Sequence, residues 1–500
     1  MNVKVPGAGS ASASGIAAEG IARSDATAVN SAANRALYKA RVPIYPKLVH
    51  GRFRFAKWIV MSVTLAIYYL VPWLRWDRGP NAPDQAVLID FPHQRFYFFF
   101  IEIWPQEVYY ITGLLILGAL ALFLVTALFG RVWCGYTCPQ TVWTDLFIVV
   151  ERLIEGDRSA RIRLAKSPWS AGKIARKFAK HAIWLAIAAA TGGAWILYFH
   201  DAPSVMRNFM SGDAPLSAYA FFVILTFTTY TLAGTMREQV CTYMCPWPRI
   251  QAALTDEEAL AVTYRTDRGE PRGAHKKGDP WTGRGDCIDC SQCVAACPMG
   301  IDIREGAQLE CINCALCIDA CDEVMVKIGR PKGLIAYDTD LNVMRRKDGE
   351  TPRFRFVRAR TILYAGLFIV AAAIMVLGLT ERARLDINVL RDRSPAFVLL
   401  SDGGVRNGYT VKVLNRTSAP QHYGLTVEGP SGLSARATGL GQGETLGDFI
   451  VEPDRVRPVR VHLTLEKPAG RSLDIVFHLK ELESGETVDN PSVFLSGGEE

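Results

Sequence analysis

Cys287-Ile-Asp-Cys290-Ser-Gln-Cys293-Val-Ala-Ala-Cys297-Pro298, followed by Cys311-Ile-Asn-Cys314-Ala-Leu-Cys317-Ile-Asp-Ala-Cys321, is the stretch that decides how this 500-residue chain is read. Both runs have Cys-x2-Cys-x2-Cys-x3-Cys spacing, the register in which three closely spaced thiolates wrap one iron–sulfur cube and a distant fourth closes it. In paired runs the fourth cysteine crosses over. The expected ligand sets are therefore Cys287, Cys290, Cys293 and Cys321 for one [4Fe–4S] cluster, and Cys311, Cys314, Cys317 and Cys297 for the other. A zinc site needs only four ligands, usually as paired Cys-x2-Cys units, and eight thiolates in this register exceed that need. Asp322 stands where the second run lacks its proline; proline ligates nothing, so the ligand sets are unaffected. Two clusters in one module imply a one-electron relay.

Outward from this segment the chain becomes apolar. Five runs, 58–76, 108–129, 182–199, 218–236 and 361–380, approach or reach the length of a bilayer-spanning helix. Hydrophobic residues make up 49% of the chain and the formal net charge is +7. The basic residues flank the apolar runs, so a bilayer explains them and nucleic acid does not. Residues 1–34, rich in Ala, Ser and Gly, lack an apolar signal core and read as a disordered tail, with a basic stretch continuing to residue 57. Lys and Arg recur in 35–57, 131–181 and 237–360, whereas 77–107 leans acidic. That alternation predicts an inside N-terminus and an outside C-terminus. All twelve cysteines then lie on the reducing side, where metal or redox roles outweigh structural disulfides.

The remaining four cysteines sit at two span ends. Residues 131–139 read Arg131-Val-Trp-Cys134-Gly-Tyr-Thr-Cys138-Pro139, and residues 237–246 read Arg237-Glu-Gln-Val-Cys241-Thr-Tyr-Met-Cys245-Pro246. The likeness points to a duplicated two-span unit. On a helix, i and i+4 share a face, so Cys134/Cys138 and Cys241/Cys245 could each clamp a soft ion, Cu(I) foremost. Small buried packing residues and a dithiol/disulfide couple are the competing readings. Residues 141–154 read as a short interfacial helix, and Trp73, Trp76, Trp104, Trp133, Trp143 and Trp184 as interfacial anchors. His181 and His200 lie at opposite ends of one span and cannot share a haem.

The expected architecture is multi-domain: a basic tail (1–57), a four-span α-helical membrane domain (58–245), a ferredoxin-type 2[4Fe–4S] insert (246–360), a fifth transmembrane helix (361–380) and a C-terminal domain (381–500). Alternating apolar and polar residues at 409–414, 422–427, 456–465 and 473–479, separated by Gly- and Pro-bearing turns, predict a small antiparallel sandwich for the last.

The segments Arg131–Gln140, Cys241–Trp247 and Cys287–Asp322 together resemble the FixG/CcoG/RdxA family, the cytochrome c oxidase accessory proteins. The resemblance covers most of the chain after the tail. It implies an immunoglobulin-like periplasmic domain, a bacterial inner-membrane location, and cupric reductase activity that assists copper delivery and assembly of cbb-type cytochrome c oxidase. It also implies oxidase subunits or copper-delivery proteins as partners, beside a cytoplasmic electron donor that the sequence does not name. Cys134, Cys138, Cys241 and Cys245 become the expected copper and catalytic residues. Competing functions are a quinol dehydrogenase-like relay, which a quinone pocket in the first four spans would favour, and a non-enzymatic copper chaperone or scaffold. The sequence leaves the oligomeric state open, homo-oligomers included.

Overall fold

The computed structural model describes residues 16–18, 21–30, 42–79, 82–276, 278–380 and 385–496, apart from 402, 416, 418, 442, 454 and 467–469. Contacts divide the chain into two units: residues 1–74 with 85–375, and residues 75–84 with 376–500.

In the first unit, the short strands β1 (Ile16–Ala18) and β2 (Ile21–Ala22) precede α1 (Arg52–Leu70), which a 3-10 turn extends to Trp73. Strands β3 (Val87–Asp90), β4 (Arg95–Phe98) and β5 (Ile101–Ile103) form a small antiparallel sheet. Sequence reading treats this region as an acidic loop. Alternation over three or four residues is too short to distinguish strands. Helices α2 (Tyr109–Phe129), α3 (Val132–Tyr136), α4 (Pro139–Glu155), α5 (Arg158–Lys166), α6 (Ala171–Ile196), α7 (Ala202–Ser211) and α8 (Leu216–Thr229) follow. The last continues as a π-helix over Tyr230–Met236.

Among the described residues, four helical stretches are long and apolar enough to cross a membrane: Arg52–Trp73, Tyr109–Phe129, Leu216–Met236 and Ala359–Thr380. The fifth expected span, 182–199, is not among them. The expected span 182–199 is the second part of α6, which stops at Ile196 and whose first turns carry Lys173, Arg176, Lys177 and Lys180. Those cations have structural work. Lys177 and Lys180 pair with Glu155 of α4 at 2.9 and 3.2 Å. Trp184, expected as an interfacial anchor, is buried at 2% exposure, stacks on Phe147 and donates its indole N–H to the Phe147 carbonyl. Trp104 is likewise buried.

A second π-helical turn (Val240–Met244) and α9 (Trp247–Leu254) lead into the cysteine-rich module. Here β6 (Ala261–Tyr264) pairs antiparallel with β7 (Ile335–Asp338), enclosing α10 (Thr266–Gly269), α11 (Gln292–Ala296) and α12 (Leu316–Lys327) in sequence. Then come α13 (Asp340–Lys347) and α14 (Ala359–Thr380). The module is tied to the first membrane helix by a cap supplied from far along the chain. The Asp319 carboxylate, on α12, accepts from the N–H groups of Phe53 and Arg54 at 3.3 and 2.7 Å. It satisfies donors that α1 cannot use internally, and places negative charge at the positive end of the helix dipole.

The tail expectation needs correction where it can be examined. Residues 1–15, 19–20 and 31–41 lie outside the described residues, but 21–30 run along the module. Ser24 N–H donates to Cys290 O at 2.9 Å, and Val29 N–H to Gly300 O at 2.8 Å. Ala18 and Ile21 enter the same core as Cys287, Ile288 and Cys293. Two small apolar residues are too weak a sequence signal to announce such docking.

The second unit is a sandwich of two antiparallel sheets. One orders β12 (Ser434–Thr438), β14 (Arg455–Leu465), β10 (Val405–Asn415) and β8 (Leu385–Arg391), with β9 (Val398–Leu399) also on β10. The other orders β13 (Phe449–Val451), β11 (Gln421–Glu428), β15 (Ser472–Glu481) and β16 (Thr487–Leu495). Period-2 alternation sends Tyr409, Val411 and Val413 inward to meet Tyr423, Phe477 and Phe494.

Candidate functional site: twelve thiols in two sets

The two cysteine runs share a backbone as well as a spacing. Asp289 and Asn313, each two residues after the first cysteine, have φ of 53° and 52°; Ser291 and Ala315, each four after it, have φ of 54° and 60°. Residues alternating between left- and right-handed conformations turn successive N–H groups toward one concave side, which suits a sulfide-rich anionic cluster. The strain of left-handed non-glycine residues is of the order of 1–3 kcal/mol each and persists where the surroundings enforce it.

The thiols gather as two groups. Burial pushes the Cys321 thiol well above its ordinary pKa, and its neighbours Cys293, Cys290 and Cys287 push it further. Burial does the same to Cys317, which Cys314, Cys311 and Cys297, and after them Cys293, push further. Each run's fourth cysteine therefore sits with the other run's first three. Cys297, Cys311, Cys314 and Cys317 line one cavity, which Cys293 of the other group also reaches, among apolar side chains such as Ile301, Ile303 and Ile312. All twelve cysteines of the chain are free. Two groups of four thiols set in apolar surroundings are a donor set that fits iron–sulfur clusters.

The other four thiols converge too, by a route the sequence does not announce. Gly130 and Arg237 each stand four residues before the first cysteine of a pair, and both adopt the same unusual backbone, φ 58° ψ −124° and φ 44° ψ −110°. The duplication thus extends to the turn that leaves each span. A Cβ at Gly130 would lie 2.6 Å from the carbonyl oxygen of Leu260, so glycine is required there. Arg237 tolerates its turn because its side chain is held: Nη2 pairs with Glu151 at 2.7 Å, Nε donates to Gly234 O at 2.8 Å, and the guanidinium lies over Trp184.

The expected i,i+4 clamp on one helix is not what forms. Cys134 is in α3, but Cys138 is extended (φ −57°, ψ 127°) and is the N-cap of α4. Cys241 is in the π-helical turn and Cys245 is extended (φ −79°, ψ 122°). The cause is the following proline, which disfavours helical geometry in the residue before it. Instead of two separate clamps, the two copies face one another. Burial pushes the Cys134 thiol up to about 12, with Cys138 and Cys245 adding to the rise and Arg131 opposing it. Burial also pushes Cys241 up to about 12, helped by Cys138, Cys134 and Cys245. No group of three or more His, Cys, Asp or Glu side chains among the described residues is arranged to hold a metal ion.

Gln251, fully buried on α9, is the residue that sequence reading misses. The Cys134 thiol donates to its Oε1 at 3.3 Å, while its Nε2 has no partner. It joins the second copy to the first at the thiol itself. Arg131 spans a similar gap, donating to the carbonyls of Leu309, Cys311 and Pro248. A Cβ at Gly135 would meet Ile312 O at 2.6 Å, so the chain beside Cys134 lies directly against the cysteine-rich module. Cys134 and Cys241 pack with Cys297 and Cys311 against one apolar core that includes Met299, Ile301 and Ile312.

Charged groups fix this arrangement from behind. Burial alone would raise Glu151, but Arg237, Arg161 and Lys180 more than offset it and hold the carboxyl below its ordinary range. Burial likewise opposes ionisation of Asp145, which Lys57 and Arg54 overcome.

Comparison with known proteins matches this geometry. Residues 236–340 fit a family model described as a 4Fe-4S dicluster domain, 111–155 one described as a 4Fe-4S binding domain, and 375–497 the Ig-like fold at the C-terminus of FixG. The nitrogen fixation protein FixG of Rhizobium meliloti (strain 1021) is 54% identical over 484 residues, covering 90% of this chain and 91% of its own length. This chain belongs to the FixG/RdxA family. Within it, proteins RdxB and RdxA of Cereibacter sphaeroides are 48% and 52% identical over 470 and 431 residues; they cover 92% and 86% of this chain, and 98% and 90% of their own lengths. A crystal structure of a FixG-related protein from Vibrio parahaemolyticus is 27% identical, with 23% of this chain and 96% of that chain covered, at a TM-score of 0.20. The family member described here is a membrane iron–sulfur electron-transfer protein with a C-terminal Ig-like domain.

Proposed function

We propose that this protein is a cupric reductase that takes single electrons through its cysteine-rich module and reduces Cu(II) at the converged thiols of Cys134, Cys138, Cys241 and Cys245. The reading rests on one observation above all: Cys134 and Cys241 share an apolar core with Cys297 and Cys311. When bound, two [4Fe–4S] clusters supply one-electron storage. The Cys287, Cys290, Cys293 and Cys321 thiolates hold the outer one, and Cys297, Cys311, Cys314 and Cys317 the one nearer the membrane thiols. One electron converts Cu(II) to Cu(I), the oxidation state that soft thiolate ligands favour. Metal binding displaces the thiol protons, because the thiolate is the ligand. Gln251, free to turn its amide, would then donate Nε2–H to the metallated Cys134 sulfur.

In this reading the cysteine-rich module faces the cytoplasm of a bacterial inner membrane, the Ig-like unit faces the periplasm, and Cu(I) is supplied toward assembly of a cbb-type cytochrome c oxidase through oxidase subunits or copper-delivery proteins. Lys and Arg placement supports that topology.

One observation favours a second reading, a quinol-oxidising relay. An apolar cavity of 430 Å³ lies among the membrane helices, lined by Tyr69, Trp73, Gly193, Met206, Phe209 and Phe222. It sits near the far end of α1. The sixteen residues from Lys57 to Trp73 rise roughly 24 Å, a long way from the thiols. That separation weighs for copper. Anaerobic mixing of reduced protein with Cu(II) tests the choice: cluster bleaching with stoichiometric Cu(I) is expected. Bleaching by a quinone but not by Cu(II) would hand the function to the cavity.

A further inference from the structure

The donor side of the relay has a built face of its own. Cys297, Cys311 and Cys314 share a core with Cys134 and Cys241, and the Cys287, Cys290, Cys293 and Cys321 group does not, which leaves that group as the far end. Over that end lie residues 265–276 and 278–285. They are tied down where Gly273 N–H donates to Cys287 O at 3.1 Å and Asp286 N–H to Arg268 O at 3.0 Å. At their centre Trp281, half-buried, packs against the core that contains Cys287, Cys290, Cys293 and Cys321. His275 stacks on Trp281 at 4.0 Å, and the guanidinium groups of Arg330 and Arg284 lie 4.9 and 5.7 Å from the indole centre. Arg272 and Lys276 are exposed beside them. Of the acids nearby, Asp286 is buried and pairs with Arg268 and Arg330, Glu270 lies 3.7 Å from Arg272 in an exposed pair, and Asp279 accepts from the Lys276 N–H; the cations outnumber them.

We propose that this basic collar around Trp281 is the docking face for an acidic one-electron carrier protein, which delivers electrons to the Cys287 end of the module. The proposal rests on the reductase reading for the direction of flow but not for the existence of the face. The chemistry selects the partner class. A hydride donor gives two electrons at once and needs a two-electron acceptor, whereas a cluster held by Cys287, Cys290, Cys293 and Cys321 takes one. The balance is simple: the carrier loses one electron, the module gains one, and no proton or group moves. An anionic lipid surface would suit basic residues as well, but Trp281 packs on the core of Cys287 and Cys293 and not on the one shared with Cys134 and Cys241. Opposite charge steers such encounters, raising association rates 10–1000-fold at low salt.

The test uses the full chain in detergent, anaerobic and oxidised, with a reduced acidic [2Fe–2S] ferredoxin as probe. The second-order rate of module reduction should fall steeply as salt rises, and R272E with K276E should lower it by about tenfold or more at low salt. Binding of the oxidised probe, followed by fluorescence anisotropy, should weaken in parallel. R163E with K166E, on exposed cations of α5, serves as the control and should change neither. A rate indifferent to salt and to R272E/K276E overturns the proposal, as does an equal loss in the control. So does a loss of binding to anionic vesicles in place of a loss of probe binding. Oxidation of chemically pre-reduced R272E/K276E by Cu(II) should stay at the unmodified rate. Failure of that arm in the unmodified protein as well would count against the reductase reading and leave the docking face standing.

Discussion

The two copies of the Cys-x3-Cys-Pro unit solve one geometric problem with different means. Both must leave a membrane span through a turn with positive φ so that the next four residues bring a cysteine to the centre. The first copy uses Gly130, for which the turn is unstrained, and follows it with α4, a 17-residue helix buried among charges. The second copy uses Arg237, follows it with a π-helical turn, and has only the eight-residue α9 after its proline. The first copy is held by backbone freedom. The second is held by a side chain, and the group that grips it, Glu151, belongs to the first. A duplicated unit here has become two dependent parts.

The largest expected effect tests whether the parts make one site. Cys134→Ala with Cys138→Ala should abolish cupric reduction while about eight iron per chain are retained, as two four-iron clusters require. Cys241→Ala with Cys245→Ala should do the same. If one pair is dispensable, the copies are not a shared site. If the unmodified protein carries about twelve iron and either double variant about eight, the four thiols hold a third cluster and the copper assignment goes.

Dependence of the second copy on the first is tested next. Glu151→Gln leaves Arg161 and Arg237 buried without their countercharge, with Lys180 kept only by Glu155, and breaking such a network costs about 3–5 kcal/mol. Trp184 fluorescence, next to both α4 and Arg237, reports the loosening during thermal unfolding in detergent. The pH dependence has a definite sign. The folded-state pKa of Glu151 is depressed below the ordinary 4.5, so its contribution is complete above that value and is lost as pH falls below it. Trp184 should therefore report loosening on acidification, and the Glu151→Gln variant should lack that step.

The smallest effect separates the two turns. Gly130→Ala meets Leu260 O and a positive φ together, and should cost about 2–3 kcal/mol. Arg237→Gly relaxes its turn by about 1 kcal/mol but leaves Glu151 with one cation fewer, so its net effect should be smaller. Equal destabilisation by the two variants would mean that the backbone turn, and not its anchoring, is what the copies share.

What the sequence makes legible follows the range of the interactions involved. The eight-cysteine module is readable because its register is local, and the sandwich because period-2 alternation is. Four spans are readable from length and apolarity; the run 182–199 reads less plainly because α6 joins its apolar half to cations that are satisfied by Glu151 and Glu155 on α4. The thiol site is half legible. The Cys-Pro pairs mark it, but the break at Cys138 overrides helical spacing, and Gln251 carries no motif. Its role depends on burial against a thiol 117 residues away.

The carboxylate of Asp319 gives the protein a clock. It caps α1 from 265 residues further along the chain. At about 5–20 residues per second, synthesis leaves the first membrane helix without its cap for roughly 13–50 s. During that interval α1 must rest on the bilayer alone. Asp319 also lies between Cys317 and Cys321, which fall to different thiol groups, so one helix, α12, carries the cap together with a thiol of each group. Insertion of the first helix and completion of the metal-bearing module are thus the beginning and end of a single act of biogenesis. A chain whose cysteine-rich module is misfolded around α12 would lose the cap at residue 53, far along the chain from any cysteine.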